Sequence, residues 1–411
     1  MARPVDGTVR AVTPIEDAQA LVLEACGPLA PVVMPFDGAR GLVLAADVVA
    51  AEQVPPFVNT AVDGYAVRAA DVATVPIELT IVGEVAAGAS TDRVVGPGET
   101  IRIMTGAPMP AGADAVVMVE DSELVSADRV RLSRAVQPGS SVRAAGDDIQ
   151  AGDLLFTAGT EIRPAVAAVL ASVNARTVTV HPRATVAVLS TGDELVDDGS
   201  PLAPGQIRES NRTMLAGLLA EAGCEVIDLG TVRDDETELE RVLRAAATDC
   251  DAIVSSGGVS MGDYDVVKAV LGRIADMTWL QIAIKPAKPF AFGTLGGTPV
   301  FGLPGNPVSS LVSFELIARP ALRRMMGHRR LARPSLVAVS DAGISRKPDG
   351  KVHLVRVNTA FGDDGRFRVT PVGAQGSHQL AATALADAIA IVPDGDGIPP
   401  GGDVAVLMLV G

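Results

Sequence analysis

The spacing of apolar residues changes character three times along the chain. Ile15, Ala18, Val22 and Ala25 recur at helical spacing, and Thr13, Pro14 and Glu16 supply an N-cap, a first-turn proline and the acid of a capping box, so a helix over 14–26 is predicted. Between 54 and 146 the helical period disappears. Short β-like runs at 77–82, 100–104, 115–119 and 130–132 are broken by Gly and Pro, the pattern of a small all-β module. Its flanks, 1–53 and 147–182, both carry helix-like segments, so the module reads as an insertion into a domain made of two stretches. From 183 to 328 strands at 185–189, 225–229, 252–255, 280–284 and 300–302 alternate with helices at 213–222, 236–247, 265–271 and 308–326. Repeated βα units predict a mostly parallel sheet covered on both faces. After 329 the β texture returns at 336–339, 352–357, 367–369, 388–392 and 404–410, a C-terminal β domain. The fold class is α/β plus β, multidomain, divided as 1–53 with 147–182, 54–146, 183–328 and 329–411.

Composition narrows the function. The chain has 411 residues, 48% hydrophobic but only 3% aromatic, enough for real cores built from small aliphatics. Its 34 Lys+Arg against 49 Asp+Glu give a net charge of −15, the wrong sign for a protein that neutralises nucleic-acid phosphates or an anionic membrane. Apolar stretches such as 165–173 fall well below the ~18 residues needed to span a bilayer, and the first twelve residues show no signal-peptide pattern. Cys26, Cys224 and Cys250 are odd in number and far apart, which reads as reduced thiols in a cytoplasmic protein. Four isolated histidines argue against a His-rich zinc site.

In an open parallel sheet ligands bind beyond the carboxyl ends of the strands. The unusual sequences occupy those loops: Ser190-Thr191-Gly192-Asp193-Glu194, Gly230 to Asp235, Ser255 to Asp265, and Leu303-Pro304-Gly305-Asn306-Pro307. Gly257 and Gly258 permit close backbone approach, and Ser255, Ser256 and Ser260 add hydroxyls, a cradle suited to an oxyanion. Asp193, Glu194, Asp234, Asp263 and Asp265 place up to five carboxylates on one rim, and Mg²⁺ is the simplest reconciliation of those acids with an anionic ligand. The competing reading is that Asp234 and Asp235 cap the helix near Glu236, and Asp263 or Asp265 the next one. Lys285 and Lys288, stiffened by Pro286 and Pro289, are cations placed to meet phosphate, or a solvated pair. Pro304, Gly305, Asn306 and Pro307 form a rigid turn into a helix.

Asn59-Thr60-Ala61-Val62-Asp63-Gly64-Tyr65-Ala66 resembles the Asn-Ser-Ala-Met-Asp-Gly-Tyr-Ala signature of the MoeA/gephyrin E-domain family, the molybdopterin molybdenumtransferases. Ile103 to Pro108, Ser190 to Leu195, Ser256 to Asp265, Lys285 to Phe292 and Leu303 to Ser309 resemble that family's other blocks, in its order. The resemblance runs from about residue 13 to the end and is weakest after 329. It implies a molybdopterin-binding three-layer α/β domain, an inserted β-rich domain, a discontinuous linking domain and a C-terminal β-barrel-like domain. It also implies a cytoplasmic homodimer whose cleft joins the α/β domain of one subunit to the Asp63-bearing region of the other. The reaction implied is that of adenylylated molybdopterin with molybdate and Mg²⁺, giving molybdenum cofactor and AMP. Motif matching carries over Asp63, Thr105, Glu194, Asp234, Asp265, Pro304 and Pro307 as functional, with Glu194, Asp234 and Asp265 as metal ligands. Thr60 and Val62 replace the usual Ser and Met, and Gly146-Asp147-Asp148 stands where Gly-Glu-Asp is usual. Protein partners implied are a molybdopterin adenylyltransferase and molybdoenzymes or cofactor carriers. Two other readings stay open: a molybdopterin adenylyltransferase, which needs only the α/β domain, and a cofactor-binding scaffold, which needs no rim acids.

Overall fold

The computed structural model describes residues 12–259, 266–373 and 375–409. The chain divides into two compact units: Val33–Arg40 with Ala46–Thr179, and Met1–Val32 with Gly41–Ala45 and Val180–Gly411. The helices used below are α1 (Ile15–Ala25), α2 (Pro164–Ser172), α3 (Asn211–Ala222), α4 (Glu236–Asp249), α5 (Val266–Ile274), α6 (Pro307–Ser313) and α7 (Arg319–Met325).

The smaller unit is built on a six-stranded sheet in the order Ala115–Met118, Gly64–Val67, Glu99–Ile103, Ile77–Val85, Arg129–Leu132, Ser122–Ser126. Successive side chains of a strand point to opposite faces. Tyr65 and Val67 therefore join Leu79, Val117 and Val130 in one core, while Ala66 joins Ile101, Ile103 and Val116 in another. Burial on both faces explains why Gly64–Val67 and Ala115–Met118 carry no charged or strongly polar residue, whereas Arg129–Leu132 alternates exposed and buried positions. Gly64 is required by close approach, since a Cβ there would overlap the Val117 carbonyl of the neighbouring strand. In the same unit α2, with Pro164 in its first turn, buries Val166 and Leu170.

The larger unit contains a second six-stranded sheet, ordered Glu225–Val232, Thr185–Thr191, Ala252–Ser256, Thr298–Leu303, Pro289–Leu295, Asp276–Gln281. The first four strands are parallel, and Pro289–Leu295 pairs antiparallel with both of its neighbours. Val186, Val188 and Val254 face a core shared with α1, α3 and the 307–325 segment, whereas Ala187, Leu189 and Ile253 face one shared with α4 and α5. Each fully buried large aliphatic contributes roughly 1.5–3 kcal/mol, so this two-sided burial holds the three layers together. A closed five-stranded barrel follows. Val352–Phe361, Phe367–Pro371, Ser335–Ser340, Gly402–Met408 and Ala388–Val392 pair in sequence, and the last pairs back to the first. Closure removes the exposed edges that an open sheet of such strands would present. Among the described residues no helix is long and apolar enough to cross a membrane.

Three local expectations are corrected. Thr13 does not cap α1: Pro14 takes the cap position without a side-chain bond, and Thr13 bridges to Ile282, its N–H donating to the Gln281 carbonyl at 2.7 Å. The expected continuous helix over 308–326 is α6 and α7 joined by a π-helical turn, Phe314–Ala318. The expected strand 280–284 is divided. Asp276–Gln281 ends the α/β sheet, whereas Ile284–Lys285 pairs in parallel with Val352–His353 of the barrel sheet. Pro289–Leu295, where no strand was expected, is an additional strand of the α/β sheet.

Candidate functional site

The rim of the α/β sheet brings together the loops that the sequence singled out. Ser190 pairs with Ser256 and Thr231 across the parallel strands, and Ser256 with Leu303, so the four loops leave neighbouring strands at one level. The Asp234 N–H donates to Asp193 Oδ1 at 3.3 Å, joining the Glu194 loop to the Asp234 loop. Glu194 folds its carboxylate back over Gly192, whose φ of +143° and lack of a Cβ leave that space open. The two capping candidates separate: Asp235 is the N-cap of α4, accepting from Glu238 N at 2.8 Å. Asp234 does not occupy the cap position.

Gly257 and Gly258 both have positive φ, +96° and +72°, a pair of left-handed residues that only glycine adopts without strain. The Gly257 N–H donates to the Leu303 carbonyl at 3.1 Å. That amide therefore ties the loop to the neighbouring strand and is not a donor for an anion, which narrows the oxyanion cradle expected from the sequence. Asn306 is the N-cap residue of α6 and Pro307 its first residue. Ser260, Asp263 and Asp265 lie outside the described residues.

Two cavities open beside these loops. One of about 340 Å³ is lined by Val259, Gln281, Lys288, Pro289, Pro304, Gly305 and Asn306. The other, about 640 Å³, is lined by Lys285, Lys288, Lys351 and His353, by the hydroxyl-bearing Ser309, Ser345 and Ser377, and by Ile284, Pro286 and Leu354 among others. Its lysines come from both the α/β layer and the segment that leads into the barrel. Lys288 lines both cavities.

Sequence reasoning missed Lys351, His353 and the three serines, because nothing in the sequence says that the barrel strand after 351 docks beside 284–288. It also missed Glu209 and Asn211. The Asn211 Nδ2 group donates to Ser256 Oγ at 2.8 Å and to the Gly305 carbonyl at 2.7 Å. Glu209 Oε1 accepts from Ser190 Oγ at 2.9 Å and from the Arg212 N–H at 2.7 Å. A Glu-Ser-Asn run just before a helix was a legible signal for capping chemistry.

In the smaller unit, Asp63 and Thr105 are brought together. Thr105 donates to Asp63 Oδ1 from both its N–H and its Oγ1, each at 2.7 Å. The hydroxyl bond first, then the amide bond, hold the exposed Asp63 carboxyl below the usual carboxylate range. It is an anion at neutral pH.

Among the described residues no group of three or more His, Cys, Asp and Glu could enclose a metal. Glu194 and Asp234 offer oxygen donors, and among the described residues neither Cys nor His joins them. That donor set fits a hard cation such as Mg²⁺, which is held by one or two carboxylates and completed by water and substrate oxygens.

Comparison with known proteins gives this arrangement a family. Residues 13–174 match the model of the MoeA N-terminal region (domain I and II), 187–324 that of a probable molybdopterin binding domain, and 343–409 that of the MoeA C-terminal region (domain IV). Molybdopterin molybdenumtransferase 2 of Mycobacterium tuberculosis is 38% identical over 390 residues, covering 92% of this chain and 95% of that protein. The molybdopterin molybdenumtransferase of Haemophilus influenzae is 38% identical over 344 residues, covering 84% and 85%. The crystal structure of the molybdopterin biosynthesis MoeA protein from Pyrococcus horikosii superposes with a TM-score of 0.81 at 32% identity, covering 98% of this chain and all of that one. Nearly the whole length is matched in sequence and in fold, and the chain belongs to the molybdopterin molybdenumtransferase family.

Proposed function

We propose that this protein inserts molybdate into adenylylated molybdopterin, with Mg²⁺ and release of AMP, to give molybdenum cofactor. The observation that carries the reading is the shared wall of the two cavities. Lys288 lines both, so a small dianion held among Lys285, Lys288, Lys351 and His353 abuts an organic substrate lying against Pro304, Gly305 and Asn306. In a chain of net charge −15, Lys285, Lys288 and Lys351 around one cavity, the last of them 3.7 Å from the Asp349 carboxylate, supply local positive charge for a tetrahedral oxyanion.

The residues divide the work. Lysine ammonium groups and serine hydroxyls bind and orient the anion. The glycine turn at 257–258 and the Pro304 to Pro307 turn set the wall against which the pterin end is positioned. Glu194, Asp234 and, by motif, Asp265 would hold Mg²⁺, which when bound compensates the charge of the substrate phosphates. Asp63, kept ionised by Thr105, accepts a hydrogen bond or proton and does not donate one. The chain acts in the cytoplasm as a homodimer in this reading. A molybdopterin adenylyltransferase supplies its substrate, and molybdoenzymes or cofactor carriers take its product.

The decisive experiment incubates the protein with adenylylated molybdopterin, molybdate and Mg²⁺ and follows AMP and cofactor. Molybdate-dependent release of AMP with cofactor formation supports the transferase. Pyrophosphate release from ATP and molybdopterin would replace it with the adenylyltransferase, and binding of finished cofactor without turnover would replace it with the scaffold. Mixing Asp63→Asn and Glu194→Gln chains tests the homodimer, since only a site shared between copies recovers activity on mixing.

A further inference from the structure

We infer that Asn211 is a positioning residue that fixes the spacing between the two substrate-facing loops, 256–259 and 304–306. The inference rests on the proposed reaction only for its catalytic consequence. Asn211 is the first residue of α3 and only 9% exposed. One amide nitrogen spans both loops, donating to Ser256 Oγ at 2.8 Å and to the Gly305 carbonyl at 2.7 Å. An amide NH₂ carries two hydrogens, so both bonds can form at once and fully occupy the donor. The loops are otherwise in light contact: a Cβ on Gly305 would rest 3.8 Å from the Gly257 Cα, ordinary van der Waals distance. The strand residues that precede the two loops, Ser256 and Leu303, pair in the sheet, and beyond them the Gly257 N–H donates to the Leu303 carbonyl.

The anchor under Asn211 is firm. The neighbouring Glu209 carboxylate, 1% exposed, accepts from the Arg212 N–H at the start of α3 and from Ser190 Oγ at the end of the adjacent strand. A negative charge there also complements the helix dipole. Asn211 therefore links a helix that is fixed to the sheet to the end of one strand, at Ser256 where the 257–259 loop departs, and to the turn at Gly305. Its Oδ1 is buried and has no hydrogen-bond partner among the described residues, so the side chain is held in place through its donors alone.

The test uses full-length Asn211→Ala and Asn211→Asp, the second keeping size and removing the NH₂ donor. Three readouts are compared with the parent: melting temperature, kcat and KM for molybdate in AMP release, and backbone amide exchange by peptide. A displacement of about 1 Å at a reacting centre costs on the order of 100-fold in rate. The expected result is a 10- to 100-fold lower kcat in both variants with KM for molybdate within about threefold, and faster exchange in 256–259 and 304–306 while α4 and α5 keep parent rates. Adding Ser256→Ala to Asn211→Ala should lower kcat no further, because the pair acts as one unit. Unchanged exchange in both loops beside a low kcat overturns the inference, as does faster exchange with parent kcat. If the parent releases no AMP, the proposed reaction falls, and amide exchange alone then decides whether Asn211 joins the loops.

Discussion

At its C-terminal end α3 is met by arginines, and at its N-terminal end by carboxylates, an amide and hydroxyls. Arg319, Arg323 and Arg183 donate to the carbonyls of Glu221, Ala222 and Gly223, the last of which adopts the left-handed conformation that closes the helix. Arg333 reaches the Glu221 carboxylate and lies 2.9 Å from the buried Glu315 carboxylate, which Arg319 also approaches. Burial pushes the Glu315 carboxyl up, and the two arginines pull it back. The opposite end carries the Arg212 pairs with Asp197 and Asp228, and beside them Glu209 and Asn211, whose hydrogen bonds reach Ser190, Ser256 and Gly305. A buried charge must be matched to be tolerated at all, so the arginine end is structural. The neutral Asn211 amide constrains geometry without adding a charge of its own, which suits the proposed site.

The sharpest way to break this contrast is to remove a charge from the structural end. Glu315→Ala removes the buried carboxylate beside Arg319 and leaves Arg333 with Glu221 alone, and should cost about 3–5 kcal/mol of stability, read as a lower denaturation midpoint, with AMP release per folded molecule near the parent value. A specific loss of turnover in the folded fraction would show that the two ends are not separable. Glu194→Gln should do the reverse. Losing one carboxylate from the rim is expected to lower turnover about 100-fold while the melting temperature stays unchanged. Exhaustive chelation should match it, and recovery with Mg²⁺ should be complete.

A smaller effect follows from His328, which sits among the arginines at the structural end and accepts from Arg323 Nη2 on Nδ1 at 3.0 Å. Burial, then the neighbouring Arg323, Arg183 and Arg319, push its pKa down from 6.5 to about 4. The unfolded chain takes up this proton as pH falls through the ordinary histidine range, and the folded chain does not until about pH 4, so stability is lost as pH drops across that window. After allowance for partial solvent screening the loss is about 2 kcal/mol. His328→Gln should flatten that part of the stability profile. The smallest effect contrasts the buried Glu315 with the exposed Asp63, whose ionisation is secured by hydrogen bonds and not by arginines. Thr105→Val removes the hydroxyl bond, the larger cause of the low Asp63 pKa, and should move the acid limb of the pH–rate profile upward. An unmoved limb would mean that Asp63 ionisation does not govern turnover.

Local patterns carried much of the fold. The run Ala252 to Ser256 is buried throughout because both faces of its sheet are covered, and it read correctly as a strand from its length and its flanking turns. Gly223 read correctly as a helix stop. The helix expected over 308–326 contains a π-helical turn that periodicity does not reveal, because Phe314, Ile317 and Ala318 are buried and the run is apolar on nearly every side. Thr13 looked like a cap by its neighbours, but the Gln281 carbonyl competes for its N–H. Partners distant in sequence are invisible to a local rule.

The same division holds at the site. Sequence by itself determined which loops are chemically unusual, because glycine pairs, prolines and acids are read from residue identity. It also supplied Asp63 and Thr105 through resemblance to a family. Only the tertiary structure decided that Thr105 bonds Asp63 and that Asp235 rather than Asp234 caps α4. It likewise decided that Ile284–Lys285 leaves the α/β sheet to pair with Val352–His353, which places Lys351 and His353 around the same cavity as Lys285 and Lys288. The physical reason is range. Turn chemistry and hydrophobic period act over a few residues, whereas a cavity wall is made by segments some 65 positions apart, such as Lys285 and Lys351, which meet only when two cores pack.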